Sequence, residues 1–224
     1  LESGDGKSHF TNSGIINEPT FGLEVFHTTF GEKCLVIGYN GIYELTKDFK
    51  KQIVKYDTYV WALYQSKENP NVIYCGFDSP GGIGRLEITQ TGWEFETLLP
   101  ESDGEVRSLV EYNGKIYFAV KDKGIGIYNL STKKVEYLTE KPKIKDNLIY
   151  YVSLFQNKLF IGSNHGLYTI DEGNQLKPFD ITTNKTLHKE RLYVHRIYNE
   201  NDKRLWLVLF FNEDQESEYR EIGY

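Results

Sequence analysis

The sequence predicts an all-β fold assembled from repeats, and three observations carry the prediction. First, a motif recurs in which a short apolar strand ends in glycine or a small residue, crosses a turn and restarts after another glycine. It reads Leu35-Val-Ile-Gly-Tyr-Asn-Gly-Ile-Tyr43, Ile73-Tyr-Cys-Gly…Gly84-Arg-Leu86, Ile116-Tyr-Phe-Ala…Gly126-Ile-Tyr128 and Leu159-Phe-Ile-Gly-Ser-Asn-His-Gly-Leu-Tyr168. The restarting glycines Gly41, Gly84, Gly126 and Gly166 are 43, 42 and 40 residues apart, and a degenerate fifth pass begins at Leu205-Trp-Leu-Val208. Second, the composition suits pleated, half-buried surfaces, with 17 Tyr and 13 Phe in 224 residues. Third, no window of a dozen residues keeps the apolar spacing of an amphipathic helix. A period of about 40–45 residues built from short strands is the signature of a β-propeller, one blade per repeat.

Each repeat divides into four strands. The first reads as 23–29, 35–39, 41–45 and 51–56, and the second as 59–65, 72–77, 84–89 and 93–98. The third takes 106–112, 116–120, 126–130 and 134–138, with Asn113-Gly114 between its first two strands the strongest hairpin signal in the chain. The fourth takes 148–155, 159–163, 167–171 and 175–181, with Asn164-His165-Gly166 as a tight turn. The fifth supplies only 192–198, 205–211 and 219–224. An open ring exposes a strand edge, so the run 9–16 is expected to pair with 219–224 and close a five-bladed propeller of four-stranded blades. The alternative is a piece of a larger propeller. In domain terms, residues 1–8 are a polar, Gly/Ser-rich lead-in or a boundary inside a longer protein. Residues 9–224 form one domain with repeats at about 22–56, 59–98, 105–138, 148–181 and 192–224.

A net charge of −6 with both signs interspersed gives no support for nucleic-acid binding. The Lys-rich stretch 133–145 reads as a solvated loop between blades. No run of 18 apolar residues exists, so no membrane contact by this segment is expected. Cys34 and Cys75 fall about 10 Å out of register along aligned strands, too far for a disulfide, and are expected to be buried free thiols.

Catalytic chemistry has no visible anchor. Of the histidines His9, His27, His165, His188 and His195, the pair His188 and His195 are seven apart with no Cys, Asp or Glu at ligand spacing, and no His-Glu-x-x-His occurs. His165 reads as a turn residue, so no metal and no cofactor is expected, the alternative being a site assembled from several blades at the central mouth. No Gly-x-Ser-x-Gly elbow occurs. Gly81-Gly-Ile-Gly84 matches neither phosphate-loop pattern and precedes a strand. Glu94 and Glu96, two apart on one strand face, read as solvated surface. Trp61 and Trp206 are expected to pack between blades, and Trp93 to pack against its neighbour or to show at the rim.

The segments 35–43 and 159–168, preceded by first strands such as Val60-Trp-Ala-Leu63, resemble the repeat of two-component-regulator propellers, roughly apolar-Trp-Ile-Gly-Thr-x-x-Gly-Leu. The second and third repeats depart from it in their longer turns, and the fifth lacks the Gly-Leu restart. The resemblance implies an extracytoplasmic, periplasmic sensor region of a bacterial membrane-bound histidine kinase or hybrid regulator. The expected function is a non-catalytic ligand-sensing or interaction propeller, its partner a small molecule, an oligosaccharide or a protein. Two other classes compete with it: a free-standing lectin-like or protein-binding propeller, and an enzyme with its site at the central mouth.

Loops carry function more often than scaffold strands do. The blade-to-blade loops (57–58, 100–104, 141–147, 182–191) and the turns between second and third strands share one end of the propeller, because two strand traversals return the chain to the same side. This end is the expected recognition surface, with Asp78, Lys123, His165, Asn164 and Tyr39 as its candidate ligand-binding residues.

Overall fold

The structure, a computed structural model, describes residues 14, 16–78, 80–138, 151–163, 166–171, 174–179, 192–200, 203–213 and 216–223. Among them nineteen strands form five antiparallel sheets in chain order. The first sheet holds β1 (Thr20–Thr28), β2 (Gly31–Gly38), β3 (Gly41–Leu45) and β4 (Lys51–Tyr56), and the second β5 (Val60–Gln65), β6 (Val72–Phe77), β7 (Ile83–Thr89) and β8 (Gly92–Leu99). The third holds β9 (Val106–Tyr112), β10 (Lys115–Val120), β11 (Gly124–Asn129) and β12 (Val135–Tyr137), and the fourth β13 (Tyr151–Phe155), β14 (Lys158–Ser163), β15 (Gly166–Ile170) and β16 (Leu176–Pro178). The fifth has three strands, β17 (Leu192–Glu200), β18 (Arg204–Glu213) and β19 (Glu216–Gly223).

Each sheet is a simple up-and-down meander, as the repeats require, and successive first strands β1, β5, β9, β13 and β17 approach one another. They form the inner edge of the array, the geometry of propeller blades. The closing strand expected at 9–16 falls, apart from residues 14 and 16, outside the described residues.

Apolar alternation turns each sheet into a two-sided wedge, and one apolar cluster fills each successive interface. Leu35, Ile37 and Ile42 of the first sheet meet Val60, Ile73 and Leu86 of the second. Val72, Tyr74 and Ile83 then meet Val106, Ile116 and Phe118. Val110, Ile125 and Ile127 meet Val152, Leu154 and Ile161, and Phe160 and Leu167 meet Val194, Leu205 and Leu207.

A polar seam follows the same period. Thr29 N donates to Asn71 Oδ1 at 2.9 Å, Ser66 Oγ to Glu111, Val152 N to Ser108 Oγ at 2.9 Å and Asn199 Nδ2 to the Leu154 carbonyl. These partners are 42, 45, 44 and 45 residues apart, so each bond joins adjacent blades. Buried Glu111 also accepts from the Tyr74 hydroxyl at 3.3 Å, and buried Glu44 from Lys33 Nζ at 3.0 Å and from Trp93 Nε1 at 2.7 Å. Such buried carboxylates persist because their oxygens are paired.

Several local expectations need correction. Cys75 is buried, and that burial pushes its thiol pKa up, but Cys34 is only half-buried because it stands opposite the exposed Val25 on the first sheet's other face; both are free thiols. The third sheet restarts at Gly124, opposite Val120, rather than at Gly126. Asp122 takes the left-handed conformation (φ 62°) and shortens the turn. Gly126 is required for a different reason, since a Cβ there would lie 2.3 Å from the Phe118 ring. Trp206 does not pack between blades; it is 36% exposed, its Nε1 donating to Glu200 at 2.7 Å. Trp93 packs against the neighbouring sheet through Glu44. At Asn113 and Gly114 both φ values are positive (50° and 68°), the conformation that makes Asn-Gly a hairpin former.

Candidate functional site

The blade-to-blade loops and the second-to-third-strand turns meet at one end of the molecule, where backbone bonds knit them together. Asp78 N donates to the Tyr59 carbonyl at 2.9 Å, and Gly82 N to Ser102 Oγ at 2.8 Å. Gly104 N reaches the Pro80 carbonyl at 3.2 Å, and Lys121 N the Glu105 carbonyl at 2.9 Å. The chain needs glycine at position 81, because a Cβ there would lie 1.9 Å from the Gly104 carbonyl oxygen. On the first blade, Tyr39 N donates to the Pro19 carbonyl and Asn40 N to Glu18.

An aromatic group stands on this scaffold. Tyr39 follows β2 and Tyr59 precedes β5; their rings meet edge-on with centroids 4.6 Å apart, and both side chains are exposed. Their hydroxyl contact pushes the Tyr59 phenol above its ordinary value. Beside them Phe21 of β1 lies 5.0 Å from Trp61 of β5, and the Arg107 guanidinium of β9 lies over the Trp61 ring at 4.9 Å. Trp61 Nε1 donates to Asp78 Oδ1 at 3.0 Å, which fixes the indole's rotation. Glu105 holds Arg107 (Nε to Oε2, 2.7 Å) and Lys121 (Nζ to Oε1, 3.0 Å) in place. Three successive blades thus supply exposed ring faces and edges, a fixed guanidinium, an ammonium and two carboxylates. Rings of this kind stack on apolar ligand faces, and the charged groups can bond hydroxyls or carboxylates.

Of the residues expected here, Tyr39 and Asp78 come together through Tyr59 and Trp61. Asp78 serves as the acceptor that orients Trp61. Lys123 lies further along the same end, its Nζ 2.8 Å from Asp103 and 3.3 Å from the Ser102 carbonyl, with the Tyr137 ring at 5.1 Å. Asp103 takes a positive φ (59°), and its contact with Lys123 lowers the carboxyl pKa and raises that of the amine. Asn164 and His165 lie outside the described residues. The sequence pattern did not single out Phe21, Tyr59, Glu105 or Arg107 as site residues, and gave Trp61 only a packing role.

No family model matches the chain, and no curated protein does. Solved structures do. The extracellular domain of a hybrid two-component system from B. thetaiotaomicron superposes with a TM-score of 0.63 at 14% identity, over 91% of this chain and 28% of that one. A second such extracellular domain from the same organism gives 0.60 at 15% identity, over 100% of this chain and 30% of the other. A gluconolactonase from Xanthomonas campestris gives 0.54 at 11% identity, over 78% of this chain and 64% of its own. The chain therefore spans less than a third of the two-component structures it matches. At these identities the likeness is one of fold: an antiparallel, repeat-built propeller architecture.

Proposed function

We propose that this chain is a non-catalytic sensing or interaction module that binds a small molecule or oligosaccharide at the end bearing Tyr39, Tyr59, Trp61 and Arg107. We further propose that it works outside the cytoplasm as part of a two-component signalling protein. One observation carries the reading: two exposed tyrosines adjoin an indole pinned between Phe21 and Arg107, on loops cross-bonded into a rigid platform. Preorganised aromatic surfaces bind at low entropic cost. The extracellular domains it resembles in fold, and the resemblance of its repeats to two-component-regulator propellers, support the sensor context.

The test is calorimetric titration of a panel of neutral and acidic oligosaccharides against the wild type and a Tyr39→Ala/Tyr59→Ala variant. Both side chains are exposed, so the variant is expected to keep its fold and to lose affinity at least tenfold for any sugar the wild type binds. Undiminished binding by the folded variant would move the site elsewhere. Turnover of a lactone or glycoside by the purified protein would replace the reading with an enzymatic one.

A further inference from the structure

At the opposite end from the aromatic platform, the interface between the fourth and fifth sheets holds a cavity of about 270 Å³. Phe155, Phe160, Phe179 and Leu207 form its walls, the rings meeting edge-on at 6.2 Å (Phe155 and Phe160) and 5.1 Å (Phe160 and Phe179). Exposed Gln156, Lys158 and Lys203 also line it, which places amide and ammonium groups at its mouth and hydrocarbon at its floor.

Register explains why space is left here. In the third sheet the residue before the first hairpin turn is Tyr112, paired with Lys115, and its hydroxyl crosses to the Asn157 carbonyl at 3.2 Å. The fourth sheet has Phe155 at the equivalent place, paired with Lys158. A phenyl ring has no hydroxyl to span the interface, so this seam lacks the bond that ties the preceding one at the same height.

The two lysines follow the period as well, being 45 residues apart on successive blades. Among the described residues neither ammonium has an acidic partner. The nearby Glu200 carboxylate is taken up by Trp206 Nε1 at 2.7 Å and Arg204 at 3.9 Å. An apolar cavity of about 150 Å³ suffices for a benzene ring and stays dry when empty. This larger one has room for a ring with a short acid arm, or for a chain of about eight carbons.

We propose that this cavity binds a small apolar monocarboxylate, its ring or chain among the phenylalanines and its carboxylate between Lys158 and Lys203. Charge complementarity selects the anion, since two ammonium groups without an acidic partner among the described residues, set at an apolar mouth, favour a carboxylate over a neutral head. The site is independent of the aromatic platform, and neither lysine takes part in the core.

The test is titration calorimetry with octanoate and 3-phenylpropanoate, with octanol as the uncharged comparison, on the wild type and a Lys158→Ala/Lys203→Ala variant. Both positions are exposed, so the variant is expected to fold normally, which its melting curve checks. One carboxylate per chain is expected to bind the wild type, with octanol at least tenfold weaker. The double variant is expected to bring the carboxylates down to the level of octanol, and added salt to weaken them only in the wild type. Three results would overturn the proposal: no heat from either carboxylate up to about 10 mM, equal binding of octanol and octanoate, or carboxylate binding undiminished in the double variant.

Discussion

An added methyl on Gly126 would lie 2.3 Å from the ring of Phe118, which is fully buried between the second and third sheets. The ring cannot retreat, because Val106, Ile116 and Tyr128 share its cluster. Gly126→Ala is therefore expected to cost about 1–3 kcal/mol, the usual range for overpacking, read as a lower denaturant midpoint with unchanged slope. At the surface, Asp103 and Lys123 make a different case. The Asp103 carboxyl is held below its ordinary value of 3.8 by Lys123. A lowered acid pKa contributes stability above its unfolded value that is lost as pH falls through the folded one. Replacing Asp103 with Asn should thus lower the melting temperature slightly at neutral pH, and the difference should shrink as pH falls below the ordinary carboxyl value of 3.8. A difference that persists undiminished in acid would show that the charge pairing with Lys123 is not what Asp103 supplies, since Asn tolerates the same positive φ.

Trp93 and Trp206 offer one hydrogen bond in two settings. Each donates its indole N–H to a glutamate at 2.7 Å, Trp93 to buried Glu44 across two sheets and Trp206 to exposed Glu200 within one. Trp93→Phe leaves Glu44 with Lys33 but one donor short, an expected loss of about 1.5–3 kcal/mol. Trp206→Phe should stay within about 0.5 kcal/mol of wild type, because water replaces the lost donor. Equal effects would mean that the glutamates do not differ in burial. The contrast also shows what could be read from the chain. Strand number and order followed from glycine punctuation and apolar alternation, which local sequence encodes directly. Trp206 did not: its place in an apolar second strand says that it alternates, not which of its sheet's faces is covered. The platform at Trp61 was legible only in part. Val60-Trp61 and Val106-Arg107 open equivalent first strands, so aligning the repeats would have set the indole and the guanidinium side by side. Phe21 and Glu105 join them through tertiary contacts for which the sequence carries no local signal.

At the scale of the whole molecule, four apolar clusters fill the four interfaces between successive sheets, which leaves two faces outside them: one of the fifth sheet and, at the other end of the array, the first sheet's outer face. A row of directly opposed residues crosses that face: Leu23, Val36, Tyr43 and Ile53. Its middle is covered, with Val36 and Tyr43 buried and the Lys51 ammonium 4.5 Å above the Tyr43 ring. Its inner end is not, since Leu23 is 59% and the adjacent Val25 51% exposed. An apolar patch on a strand face drives association when nothing packs on it. Leu23→Lys with Val25→Thr is accordingly expected to reduce self-association in sedimentation velocity and to shift the melting temperature by no more than about 2 °C, the scale of an exposed substitution in a chain this size. The same sheet's buried face sets the comparison. Leu35→Ala removes a fully buried side chain from the first interface and should cost about 2–5 kcal/mol. If the Leu23/Val25 variant instead lost as much stability as Leu35→Ala, that face would have to be a fifth interface, packed against another sheet in solution as tightly as the four already filled.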